Sequence, residues 1–142
     1  MRNLSKNLCV TFSFIVNFLV IASCNQEQQP KYEDFNKKDF VLVPGIVTKI
    51  TRTPIYARGR SNKYNIYYAY NLESDTILLG KEMDVDLALK EGDGFYVLVH
   101  KKDKDINFIS GPRLLPKDQR ILESYLRKSK ESGVKYFGVD EK

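Results

Sequence analysis

The chain has 142 residues, with 23 Lys and Arg against 18 Asp and Glu, one His and two Cys. A net charge of +5 is only mildly basic. One histidine and two cysteines fall short of the ligand sets of zinc sites, and the length supports one small domain rather than two.

In chain order, the first pattern is Arg2 and Lys6 followed by an apolar run from Leu8 to Ile21 and the sequence Ile21-Ala22-Ser23-Cys24. A cationic start, an apolar segment and small residues before a cut describe a secretory signal peptide, and a cysteine directly after the small residues describes a lipobox. Residues 1–23 would be removed and Cys24 acylated as the new N-terminus. Here the chain resembles bacterial lipoproteins. That resemblance implies a diacylglycerol thioether on Cys24, two or three fatty acyl chains of the palmitate kind, and anchoring in a membrane outside the cytoplasm. The run of fourteen residues is broken by Thr11, Ser13 and Asn17, whereas a spanning helix takes about twenty apolar residues. An uncleaved anchor and a buried helix of a cytosolic protein are the rival readings, and the first would share the same topology, with Arg2 and Lys6 inside. By the same resemblance, Asn25, in place of an inner-membrane-retaining Asp, favours the outer membrane. Gln26-Glu27-Gln28-Gln29-Pro30 lacks the acidic run used for surface export, which favours the periplasmic face.

Cleavage would leave 119 residues with a net charge of +3 and no cysteine free of lipid. No disulfide, thiolate ligand or nucleophilic thiol would then serve the folded part. Residues 24–38 hold two aromatic residues and no aliphatic ones, and are expected to be a flexible tether.

From Asp39 the period becomes that of strands. Phe40 to Ile50, Tyr64 to Tyr70, Thr76 to Lys81, Phe95 to His100 and Ile106 to Ile109 are separated by turn-rich segments and predict a meander of about five antiparallel strands. Tyr64, Ile66, Tyr68 and Tyr70 share one face, expected to be core or its edge, and Tyr67 points to the other. A helix is predicted over 114–132, with Pro116 in its first turn, Asp118 early, and Ile121, Leu122, Tyr125 and Leu126 on one face. Arg127, Lys128 and Lys130 suit its C-terminal end, and Gly133 stops it. Residues 133–142 are expected to form a short strand or fray. The fold class is therefore mainly β, a small antiparallel five-stranded barrel or curled sheet of OB or SH3 size spanning 39–113, with one C-terminal amphipathic helix. Residues 40–110, with Gly45, the tyrosine-rich second strand, Gly80 and Glu91-Gly92-Asp93, resemble small bacterial β-barrel domains of unknown function, which supports the fold and implies no activity.

For catalysis the chain offers little. His100, at the end of Phe95-Tyr96-Val97-Leu98-Val99, lacks the partners of a triad and reads as a strand-end residue bonded to water or backbone. Asp84, Asp86, Glu91 and Asp93 are candidates for a glycosidase pair, yet carboxylates this close to turn glycines are commonly solvated. Asp84 to Ala88 lacks the third ligand and the central glycine of a calcium loop, and no Lys-Ser or Lys-Thr follows Gly92 and Gly94 as a phosphate loop requires. No cofactor is expected.

A binding surface remains. Arg52 to Lys63 carries Arg52, Arg58, Arg60 and Lys63 with no acidic residue, beside the tyrosines of the second strand. In a cytosolic protein this would suggest nucleic acid. Export argues against that partner and for anionic glycan, lipid or an acidic protein patch, while a solvated hairpin loop is the plain structural reading. The leading expectation is a non-catalytic, membrane-anchored envelope lipoprotein acting as a protein-binding accessory or inhibitor-like module. The alternative is an anionic glycan or lipid binder using Arg52, Arg58, Arg60, Lys63 and Tyr67, and the last is a small hydrolase.

Overall fold

A strand of thirteen residues, β1 (Phe40–Arg52), organises the sheet. The computed structural model describes residues 30–53, 63–111 and 113–139, and the chain divides between Lys31 and Tyr32 into two units. The predicted signal segment, Cys24 and most of the predicted tether lie outside the described residues, and the fold is that of the chain from Tyr32 onward. The other strands are β2 (Tyr64–Tyr70), β3 (Leu78–Val85), β4 (Gly94–His100) and β5 (Asn107–Gly111), in the order β3-β2-β1-β4-β5 with every pairing antiparallel. The result is a curled half-barrel with one C-terminal helix, as the fold class anticipates.

The expected simple meander is corrected at one connection: β4 pairs with β1 rather than with β3. The length of β1 makes this possible. Its first half, Phe40 to Ile46, faces β4, and its second half, Gly45 to Arg52, faces β2. Pro44 lies just beyond the last β2 pair, Gly45 with Tyr70, so its missing N–H interrupts no bond of that ladder. A bulge at Thr48 shifts the register between Val47 and Lys49 and lets the strand bend. Strand β3 begins two residues later than predicted because Thr76 is held in the preceding turn, its carbonyl accepting from Asn71 Nδ2 and its N–H bonding Ser74 Oγ.

Alternation builds a core on each face. The concave face buries Val47, Ile66, Tyr68, Tyr70, Phe95, Val97 and Val99, with Tyr64 at its margin, as the tyrosine spacing predicts. Burial of this set is the main stabilising term. The two sheet edges then approach, but side chains rather than a backbone ladder join them. Ile109 N–H of β5 donates to Glu82 Oε2 of β3 at 2.8 Å, and Tyr68 donates to Asn107 Oδ1 at 2.7 Å. Asn107 Nδ2 donates to the Tyr70 oxygen at 3.0 Å, and Tyr70 donates to the Lys104 carbonyl at 2.7 Å. Gly80 leaves room for this seam, since a Cβ there would run into the Tyr68 ring and Asn107.

The convex face buries Ile46, Ala69 and Leu72 beneath the helix α1 (Pro116–Glu131). Leu115 caps α1 without a side-chain bond. Tyr96 of β4 takes that role: its oxygen accepts from Leu115 N–H at 3.2 Å while its hydroxyl donates to Asp118. Ile121, Leu122 and Tyr125 face the sheet, but Leu126 is 38% exposed, against expectation. The next inward position is Ser129, one turn after Tyr125, whose hydroxyl donates to the Tyr125 carbonyl at 3.1 Å and accepts from Phe137 N–H at 2.9 Å. Gly133 ends the helix at φ +72°, as predicted.

Two expected boundaries are corrected. The tether was expected to run to residue 38, yet Tyr32–Asp34 and Lys37–Asp39 form 3₁₀ turns, and Tyr32 and Phe35 pack against Phe40 and Phe108. Two aromatic rings suffice to dock a short polar segment. After Gly133, Tyr136, Phe137 and Val139 join the convex core, so the described part of the tail, which forms turns and no strand, belongs to the fold. Among the described residues no helix is long and apolar enough to cross a membrane.

Candidate functional site

The convex face is covered by α1 in its middle and by the N-terminal 3₁₀ turns near Phe40, and is open around Tyr67. Register explains what gathers there. Lys49 of β1 and Lys81 of β3 are the direct cross-strand partners of Tyr67 on β2, so all three fall on one face in one row. The ammonium groups lie 5.9 Å (Lys49) and 5.2 Å (Lys81) from the ring centre. Each such contact at an exposed site is worth about 0.5–1 kcal/mol. Tyr67 itself is half-buried, and its hydroxyl bonds to no described residue.

Beside this row is a cleft of about 470 Å³, lined among others by Tyr67, Leu79, Glu91, Lys135, Tyr136 and Val139. Its size falls in the range of small-ligand and side-chain pockets. Lys135 Nζ donates to Glu91 Oε2 at 2.9 Å and, with Lys49 nearby as a weaker influence, holds the carboxyl below its ordinary value. Burial raises Tyr136, with the Glu91 charge adding to the effect and Lys135 opposing it.

Among the described residues, the predicted binding residues are not brought together. Arg52 stands opposite Tyr64 and Lys49 opposite Tyr67, and the alternation between these pairs puts Arg52 and Tyr67 on opposite faces. Lys63 is exposed at the base of the hairpin, where its carbonyl accepts from Thr53 N–H at 2.9 Å. Arg58, Arg60 and Cys24 lie outside the described residues. Tyr67 lies on the outward face, as the alternation predicts. Lys49 and Lys81 were missed, because only the register across three strands reveals that they flank it.

The carboxylates considered for catalysis are dispersed or engaged. Asp84 and Asp86 are exposed at the end of β3, Asp93 Oδ2 accepts from Lys90 N–H at 2.7 Å, and Glu91 is paired as above. His100 Nδ1 accepts from Asp103 N–H at 3.2 Å, the strand-end role expected of it, and its ring packs on Phe40. Among the described residues no cluster of His, Cys, Asp or Glu is arranged to hold a metal.

The seam holds the most perturbed groups. Burial, then the Glu82 charge, drives Tyr68 far above the ordinary phenol value, and burial with Asp105 and Asp103 raises Tyr70 to about 12. Neither is a proton donor near neutrality; both are held as hydrogen-bonding struts. Glu82 was also missed, although alternation in Leu78-Leu79-Gly80-Lys81-Glu82 places it on the inward face. Its carboxyl is raised above the ordinary 4.5 by burial, partly opposed by the Ile109 bond. A carboxyl raised in the folded state disfavours the charged form there, so stability is full below pH 4.5 and declines as pH rises through the raised value. Glu82→Gln keeps an acceptor for Ile109 and should remove that decline. Urea unfolding at several pH values from 4 to 8 checks this, and parallel wild-type and variant profiles would contradict it.

Comparison of the chain with protein-family models, with curated proteins and with solved structures finds no match.

Proposed function

We propose that this chain is a lipid-anchored, non-catalytic binding module of the bacterial envelope, acylated at Cys24, held at the periplasmic face of the outer membrane, and acting by binding another envelope protein. The lipobox supports the anchor. The observation that supports binding is the division of labour among polar groups. Glu82, Tyr68, Tyr70 and Asn107 are bonded across the seam, while the open cleft presents lysines, tyrosines and aliphatic side chains with Glu91 already paired to Lys135. General acid–base catalysis needs a group poised to move a proton near neutral pH beside space for a substrate, and this arrangement favours recognition instead.

The anchor is tested by the intact mass of the membrane-extracted protein. A chain beginning at Cys24 and carrying two or three acyl groups is expected, with essentially all of it in the membrane fraction. Cys24→Ser should lose both the acyl mass and the processing. A full-length, unacylated, soluble wild type would defeat the proposal and return nucleic acid to consideration.

A further inference from the structure

We infer that the convex-face cleft and the lysine row beside it hold an extended acidic segment of a partner protein, with carboxylates meeting Lys49 and Lys81 and an adjoining apolar side chain laid on Leu79; this rests on the protein-binding reading above and gives it a site. Charge is the first argument. Lys49 and Lys81 crowd one ring, at 5.9 and 5.2 Å from its centre, and neither makes a salt bridge with a described residue. A carboxylate reaching either ammonium group gains a charge-assisted hydrogen bond there, and the Tyr67 hydroxyl supplies a further donor. The cleft wall adds Lys135 against one carboxylate, Glu91, so the ring of charged groups stays positive with its own ion pair formed.

Apolar surface decides the class of anion. Leu79 is 55% exposed beside the lysines, and Val139 lines the same cleft. A phosphate headgroup or a sugar acid would leave this surface wet, whereas a peptide alternating acidic and apolar side chains covers it while satisfying the ammonium groups. A cleft of about 470 Å³ has room for a few side chains, which suits a segment better than a folded face.

The test uses the purified full chain in detergent and fluorescence anisotropy of a labelled nine-residue peptide alternating Glu and Leu. The Gln/Leu counterpart, phosphatidylglycerol vesicles and soluble muropeptides serve as competitors. Binding of the Glu/Leu peptide is expected, at least tenfold weaker for the Gln/Leu peptide and at least tenfold weaker for Lys49→Glu/Lys81→Glu. It should fall several-fold as salt rises from 50 to 300 mM. Arg58→Glu/Arg60→Glu should leave it unchanged. Lys49 and Lys81 are both exposed, and Lys49→Gln/Lys81→Gln gives the same readout if the reversal unfolds the chain. No binding of the Glu/Leu peptide, equal binding of the Gln/Leu peptide, loss only in the Arg58/Arg60 variant, or displacement by vesicles or muropeptides would each overturn the inference. An acylated Cys24 together with a protein partner crosslinked away from Lys49 and Lys81 would remove the cleft while leaving the anchored, protein-binding reading in place.

Discussion

Gly80→Val is expected to destabilise the domain by roughly 2–5 kcal/mol, combining overpacking with the loss of a buried hydroxyl's bond. The Tyr68 ring lies where the new side chain must go, and Asn107 Oδ1, which accepts from the Tyr68 hydroxyl, closes off the other direction. Tyr68 is 1% exposed and cannot swing into solvent without dragging the concave core open. The backbone of β3 is equally constrained, paired to β2 through Tyr68 with Gly80 and bonded to β5 through Glu82. Urea unfolding measures the loss directly as a fall in midpoint at constant slope. A valine variant with wild-type stability would mean that the seam is not held by the Tyr68 packing described above.

Ending the chain after Gly133 should be the more damaging change, costing on the order of 4 kcal/mol or more, since it removes two packed aromatic rings at once. Tyr136 is 9% exposed, and Phe137 lies in the same cluster with the Lys128 ammonium 4.2 Å from its ring centre. The segment also satisfies the helix: Tyr125 donates to the Phe137 carbonyl at 2.9 Å, and Phe137 N–H donates to Ser129 Oγ. Burial raises Tyr125 to about 12, so it stays a donor throughout the working pH range. For a domain whose total stability is of the order of 5–15 kcal/mol, such a truncation places much of the population near unfolding at 37 °C. Circular dichroism melts of the truncated chain and of Tyr125→Phe, which loses only one bond and about 1 kcal/mol, separate packing from hydrogen bonding. Equal melting of truncated and intact chains would show that the tail contributes no stability.

Strand periodicity carried most of the fold. The alternation of Ile66, Tyr68 and Tyr70 against Tyr67 and Ala69 identified the buried and outward faces before any pairing was known, and Pro116 with Gly133 bracketed the helix. What local pattern does not encode is partner choice. Phe40 to Val43 is apolar at every position, so it names no neighbour, and its pairing with β4 depends on a segment more than fifty residues away. The same limit hid Lys49 and Lys81, which are unremarkable surface lysines until the Thr48 bulge and two registers set them beside Tyr67. Arg52 to Lys63 drew attention through composition, while position on opposite faces separates Arg52 from Tyr67. The tail was undervalued because Tyr136, Phe137 and Val139 lack a strand period, although three apolar residues so close together after a helix already signalled burial.

Strand β1 also sets a scale. The N-terminal turns dock at Phe40, where the strand begins, and the Lys49 row stands nine residues further along it. At about 3.3 Å per residue, the strand separates the two by less than roughly 30 Å, since it bends at the Thr48 bulge. The docked turns therefore hold one end of the strand, while the basic row lies toward its other end. Under the proposed function, anchoring and choice of partner are then separable, the first resting on Cys24 and the second on three side chains of neighbouring strands.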